Sequence, residues 1–232
     1  MIIYGKNIIK EAIKAKRIIY NLYIDYKFKD LYFLNFIKNF NIPFKLLNKH
    51  QLNEKSNNNQ HQGVVAEVED YTYKNLDHFL SNSFLKKILV LDSIQDPHNL
   101  GAILRTVEAA NFDGVIIGKK NQVSLNGTVA KTSSGALEYV NIFLVENLIQ
   151  TILKLKKFNF LIVGTDIKGQ LDFKNILQEK FLAIILGNEG AGIRPILKSK
   201  CDFLIKIPMK GKINSLNVSV TAALIMYSFL YV

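Results

Sequence analysis

Cysteine is nearly absent. Cys201 stands alone, which excludes an internal disulfide and any multi-cysteine metal site. A reducing compartment suits such a chain, so a cytoplasmic location is expected. Long hydrophobic runs are also missing: no apolar stretch reaches the roughly 18 residues that a membrane span needs. The segment from Asn217 to Val232 is apolar but carries Asn217, Ser219 and Thr221 at its start, so it reads as a buried helix. Met1 to Lys16 mixes Lys with Ile and has no cleavage-site pattern, so no signal peptide and no membrane partner are expected. His50, His61, His78 and His98 lack ligand spacing, and no metal is expected. Arginine is scarce: of 30 basic residues only Arg17, Arg105 and Arg194 are Arg. A chain that prefers Lys this strongly keeps Arg where a planar fork of donors is needed.

What the chain does have is positive charge and apolar bulk. The formal net charge is +11, the pI is about 9.5, and 49% of residues are hydrophobic, enough for a real core. Such a balance favours polyanion partners. A general excess of Lys, Asn and Ile would produce the same charge without any such partner, so charge alone does not choose. Residues 1–50 hold ten Lys or Arg against Glu11, Asp25 and Asp30.

The first 70 residues read as a small α/β unit. Ile8, Ile9, Ala12 and Ile13 recur at helical spacing, Ile18 to Ile24 reads as a strand, and Leu31 to Ile37 as a second helix. Pro43 to Leu47 is extended, Lys49 to Glu54 is a short helix, and Gly63 to Val68 is a strand. The polar stretch 56–62 reads as a connector, with RNA contact as the alternative. Residues 71–85 read as a linker with one helical turn. From Lys86 onward, apolar strands alternate with helices to Val232. This pattern indicates a parallel sheet covered on both faces, with ligands at the carboxyl ends of the strands.

Three strand-end loops concentrate the unusual residues. The first, Asp92 to Thr106, offers Asp96 or Asn99 as a helix cap and places Arg105 along the helix, beside a side shared by Asn99, Ile103 and Thr106. The second, Leu186 to Ile193, holds Gly187, Gly190 and Gly192 around Glu189. Its Gly-Ala-Gly core invites a dinucleotide reading, but Pro195 occupies the third glycine position and no acid follows about twenty residues on. A carboxylate inside the loop would repel phosphates. The third, Ile207 to Thr221, offers Ser215 as a cap with Asn217 in the first helical turn, where Asn competes with the backbone. Each loop taken singly is an ordinary strand-to-helix connection.

Taken together and in order, Asp96-Pro97-His98-Asn99-Leu100-Gly101-Ala102-Ile103-Leu104-Arg105, Gly187-Asn188-Glu189-Gly190-Ala191-Gly192, and Ile207-Pro208-Met209-Lys210-Gly211 through Ser215-Leu216-Asn217-Val218-Ser219 resemble the three motifs of the SpoU-type (TrmH-like) RNA ribose methyltransferases of the SPOUT superfamily. Lys131-Thr132-Ser133-Ser134-Gly135-Ala136 also resembles a family segment. Gly5-Lys6-Asn7 and His61-Gln62-Gly63-Val64-Val65-Ala66 resemble the ribosomal-protein-like RNA-binding extension of the bacterial 23S rRNA guanosine 2′-O-methyltransferase subgroup.

The resemblance implies an RNA-binding domain at 1–70, a linker at 71–85 and a methyltransferase domain at 86–232 with a C-terminal trefoil knot, working as a homodimer. It implies transfer of a methyl group from S-adenosylmethionine to a ribose 2′-hydroxyl of RNA, a guanosine of 23S rRNA being expected. It assigns Arg105, Asn99, Glu189, Ser215 and Asn217 to catalysis, and Gly187, Ile207, Leu216, Thr165 and Asn217 to the methyl donor. Asn99 and Glu189 would fix Arg105 and the ribose, with Ser215 and Asn217 completing the pocket. Transfer RNA as substrate and a non-catalytic RNA-binding role stay open.

Overall fold

The computed structural model describes residues 1–57, 59–81, 86–176 and 179–230. Asn58 of the polar connector, positions 82–85 of the expected linker and the last two residues lie outside the described residues. Contacts group the chain into two units: 1–72 with 124–139, and 73–123 with 140–232. The expected division assigns everything after residue 86 to one domain, whereas here 124–139 packs with the N-terminal unit.

The first unit is a four-stranded sheet. It contains β1 (Ile2–Tyr4), α1 (Lys6–Lys14), β2 (Ile19–Asp25), α2 (Leu31–Asn39), β3 (Lys45–Leu47), α3 (Lys49–Ser56), β4 (Val64–Val68) and α6 (Gly127–Thr132). Strand order is β1-β4-β2-β3, antiparallel except for β2 with β3. α1 buries Ile8, Ile9, Ala12 and Ile13, the four positions that its spacing predicts. Asp30 caps α2 by accepting from the Phe33 amide. Asn48 and Gln51 form a reciprocal capping box on α3. β1 escapes a sequence reading because three residues show no period.

Arg17 closes this unit. Its Nε and Nη2 both donate to the Glu69 carbonyl, at 2.9 and 2.6 Å, and its Nη1 donates to Glu138 Oε1 at 2.6 Å. The two side chains of the pair are only 7% and 5% exposed. Burial pushes the Glu138 carboxyl above the ordinary carboxylate value, although the Arg17 guanidinium pulls it back.

The second unit is a seven-stranded parallel sheet in the order β7-β6-β5-β10-β8-β11-β9. Its strands are β5 (Lys86–Asp92), β6 (Gly114–Gly118), β7 (Ile142–Val145), β8 (Leu161–Thr165), β9 (Leu171–Asp172), β10 (Phe181–Gly187) and β11 (Phe203–Lys206). Helices α4 (Leu76–Ser81), α5 (Pro97–Ala109), α7 (Leu148–Lys157), α8 (Pro195–Lys198) and α9 (Val218–Ser228) complete it. β5 and β10 run side by side from Lys86↔Phe181 to Asp92↔Gly187, and Ile88, Val90, Ala183 and Ile185 are fully buried. Continuous burial is why these strands read as unbroken apolar runs.

Of the two caps the sequence offers for α5, Asp96 is the one used: the helix begins at Pro97 and Asn99 lies inside its first turn. The start of the last helix differs from the expectation. α9 begins at Val218, and its cap is Asn217, not Ser215. An Asn whose side chain bonds the amide two residues on is a cap rather than an interior misfit. Among the described residues no helix is long and apolar enough to cross a membrane.

Two stability predictions concern the first unit. Arg17→Met leaves Glu138 buried without its partner and should cost about 3 kcal/mol. Denaturant unfolding checks this, and loss of less than about 1 kcal/mol would show the pair to be dispensable. His61 is nearly buried; its Nδ1 accepts from the Gly63 amide at 2.9 Å, and its Nε2 therefore donates to Asn53 Oδ1 at 2.8 Å. Desolvation holds its pKa below the usual 6.5. The folded state therefore keeps His61 neutral where the unfolded chain takes up a proton. Its stabilising contribution is complete above pH 6.5 and is lost as pH falls through the depressed folded value. An NMR titration of the His61 ring should give a midpoint below 6.5.

Candidate functional site

The carboxyl ends of β5, β10, β8 and β11 meet the three unusual loops. Around them lies a cavity of about 510 Å³, within the roughly 300–1,000 Å³ usual for small-molecule sites. Gly187, Thr165, Ile207 and Leu216 all line it, as do Ser215 and Glu189. Asn217 does not line it; it caps α9 beside it. Thr165 is held by its hydroxyl, which donates to the Ile185 carbonyl at 3.2 Å.

One residue from each loop joins a single chain of hydrogen bonds. Asn217 Oδ1 accepts from the Ser219 amide at 2.8 Å and from its hydroxyl at 2.6 Å. Asn217 Nδ2 donates to Asn99 Oδ1 at 3.0 Å, and Asn99 Nδ2 donates to Glu189 Oε1 at 2.7 Å. A carboxylate only accepts, so Asn99 must turn its amino group to Glu189 and its oxygen to Asn217. Asn217 must then turn its own oxygen to the helix. Asn99 is buried while Glu189 and Asn217 are exposed, so the buried amide joins two groups that face solvent.

Arg105 is not part of this set. The expectation that Asn99 and Glu189 fix it is corrected: they bond each other, and Arg105 is exposed with no hydrogen bond or ion pair to any described residue. Helix geometry gives the reason. Six residues past Asn99, Arg105 lies about 240° around α5, whereas Ile103 and Thr106 share the Asn99 side.

The glycine loop owes its shape to contact with itself. A Cβ on Gly187 would sit 2.1 Å from the Gly192 carbonyl carbon and 2.2 Å from the Ile193 nitrogen. Asn188 and Gly192 exchange both backbone hydrogen bonds, at 2.9 and 3.2 Å, and Gly192 has φ +67°. Gly190 has no such constraint, since a Cβ there meets only Asn188 Oδ1 at 3.6 Å.

The sequence reading gave no site role to Asp92 or Asn188 and marked Arg194 only as one of three arginines. Asp92 is fully buried and accepts from the Arg194 amide at 2.9 Å and from its Nε at 2.7 Å. Asn188 Nδ2 donates to the Ser93 carbonyl at 2.9 Å. The rarity of arginine was the available signal for Arg194.

Comparison with known proteins gives a consistent picture. Residues 86–227 match the SpoU rRNA Methylase family, and residues 2–74 match the family described as RNA 2'-O ribose methyltransferase substrate binding. A Bacillus subtilis protein named as a TrmH family tRNA/rRNA methyltransferase is 39% identical over 97% of this chain and 93% of its own length. A Staphylococcus aureus protein of the same family name is 47% identical over 73% of this chain and 70% of its own. In three dimensions the chain resembles the SpoU methyltransferase AviRb from Streptomyces viridochromogenes, solved with the cofactor AdoMet. The TM-score is 0.85 at 21% identity, over 100% of this chain and 89% of that one.

The loop geometry separates two glycines experimentally. Gly187→Ala forces backbone apart and should destabilise the second unit by about 2 kcal/mol. Gly190→Ala, on an open and exposed position, should stay within about 0.5 kcal/mol. Parallel denaturation curves decide, and equal effects would contradict the self-contact described above.

Proposed function

Because the chain belongs to the SpoU rRNA methylase family, we propose that the cavity is the donor part of a methyl-transfer site acting on ribosomal RNA and that the exposed Arg105 of α5 serves the substrate. The fold is the SPOUT-type α/β fold of the trefoil-knot family, preceded by a small substrate-binding domain. The family activity is S-adenosylmethionine-dependent methylation of RNA ribose 2′-hydroxyls. The finer assignment is a guanosine of 23S rRNA. Its support is the resemblance of Gly5-Lys6-Asn7 and of His61 to Ala66 to that subgroup, together with the basic first 50 residues.

The observation that carries the reading is the cavity at the strand ends. Its walls combine apolar Ile193, Ile207 and Leu216 with backbone of the glycine loop, a combination that suits an aromatic base and a thioether-like chain. Glu189 on the same wall suits a cationic ligand. Gly187, Ile207, Leu216 and Thr165 would hold S-adenosylmethionine, with Asn217 holding the adjoining helix start. When bound, that cofactor supplies a methyl carbon on a sulfonium, open to attack by a hydroxyl oxygen.

The chain's own residues must hold the ribose and help its proton depart. Among the described residues Arg105 is the arginine whose side chain makes no hydrogen bond or ion pair, whereas Arg17 and Arg194 are engaged with Glu138 and Asp92. Its fork suits a phosphate and a ribose oxygen together, and a guanidinium stays protonated, so positioning explains it better than proton abstraction. The Asn217–Asn99–Glu189 chain presents the carboxylate in a fixed orientation, and Ser215 stands on the same cavity wall.

The active form is a homodimer in the cytoplasm. Support for a second copy comes from α9, where Val220 and Leu224 are 46% and 45% exposed beside Ala102 and Thr106 of α5. Residues 2–74 bind the RNA substrate. Mapping ribose methylation in total RNA with and without the protein tests the assignment. Loss of one 23S guanosine mark supports it, and loss of a transfer-RNA mark would replace the substrate.

Arg105→Lys should abolish methylation while sparing donor binding. Lys keeps the charge and loses the fork, and lost positioning lowers rates on the order of 10²-fold. Single-turnover transfer at saturating protein and donor is the measurement. A near-normal rate would leave Arg105 as a charge that merely attracts RNA.

A further inference from the structure

The loop that carries Glu189 is held at both ends by Asp92, the last residue of β5, and by Ser93, which follows it. At its start, the Asn188 side-chain amide donates to the Ser93 carbonyl at 2.9 Å. At its end, the Asp92 carboxylate takes the Arg194 backbone N–H at 2.9 Å and Nε at 2.7 Å. Asp92 also accepts from the Ser93 hydroxyl at 3.3 Å and is fully shielded from solvent. Ser93 has φ +65°, a left-handed conformation uncommon for a residue with a side chain. That turn is where the Ser93 carbonyl and the Asp92 carboxylate both come to face the loop.

From this geometry we infer that Asp92 and Arg194 are positioning residues that set the Glu189 loop as one wall of the donor cavity. The inference rests on the reading of that cavity as the methyl-donor site. The antiparallel bridge Asn188↔Gly192 shapes the loop internally but does not attach it to the sheet. β10 delivers the loop at Gly187, and the β5 end holds its far side through the hydrogen bonds of Arg194. With both feet fixed, Glu189 has one direction in which to meet Asn99. A buried carboxylate requires donors and a matching charge, and Arg194 supplies both from one residue through its backbone N–H and its guanidinium Nε. A local disturbance at Arg194 therefore acts on the cavity wall rather than on the sheet core, where Leu91 and Leu186 remain fully buried.

The test uses the full chain with Arg194→Met, Arg194→Lys as the conservative variant, and Arg194→Gln should the first not fold. Hydrogen exchange of the 188–193 amides reads the clamp directly, and titration with S-adenosylmethionine reads its consequence. The expected result is faster exchange confined to 188–193, donor affinity weakened at least tenfold well below the melting temperature, and partial recovery in Arg194→Lys. Exchange as slow as in the unaltered chain, in a folded variant, would overturn the clamp. Donor affinity within twofold despite an opened loop would overturn the positioning role. Failure of the unaltered chain to bind S-adenosylmethionine would instead refute the cavity assignment, and the exchange measurement would still decide whether the clamp exists.

Discussion

The hydrogen bonds from the start of α9 through Asn217 and Asn99 to Glu189 have only one consistent polarity. Glu189 can only accept, and the helix amide at Ser219 can only donate. The two asparagines between them are therefore orientated without freedom. Three loops far apart in sequence are locked into one arrangement by groups that could not swap roles. Aspartate at 99 would remove the donor to Glu189 and set two carboxylates against each other, and aspartate at 217 would set a carboxylate against the Asn99 amide oxygen. This is a reason for amides, rather than acids or hydroxyls, at positions 99 and 217.

Arginine use follows the same logic of directed donors. Arg17 spends all its nitrogens on the Glu69 carbonyl and Glu138, and Arg194 spends its amide and Nε on Asp92. The carboxylate partners Glu138 and Asp92 are buried, and at Arg17 a lysine's single ammonium would satisfy fewer acceptors. Arg105 differs by having its fork presented to solvent. The expectation that a lysine-rich chain keeps arginine for fork geometry thus accounts for Arg17 fully and for Arg194 through Nε alone, and it leaves Arg105 as the candidate for substrate.

Much of the second unit was legible because parallel strands buried on both faces leave unbroken apolar runs. Ile88 to Leu91, Gly114 to Ile117 and Phe181 to Leu186 fall within observed strands. The helix of α1 was legible from four apolar positions. Short pieces were not: β1 and β9 have three and two residues, too few for any period to emerge. Helix starts were left open or displaced because Asp, Ser and Asn are all acceptable caps, and only the folded chain shows which one the amides find. Loop residues around the cavity were named in advance, but Asp92 was hidden at the end of an apolar strand. Its role depends on a partner 102 positions away, and nothing local in either segment announces such a pairing.

The excursion of residues 124–139 into the first unit has a consequence for synthesis. α6 lies against β1, where a Cβ on Gly127 would come within 2.5 Å of the Ile2 carbonyl oxygen, and Glu138 is the buried partner of Arg17. When residues 1–72 have left the ribosome, neither partner yet exists. At roughly 5–20 residues per second the nascent unit waits several seconds, with its Arg17 site open, until Tyr139 has emerged. By then β5 and β6 of the second unit have also been made. Neither unit can therefore finish from a contiguous piece of chain, and the start of the second unit must be made before the first is complete.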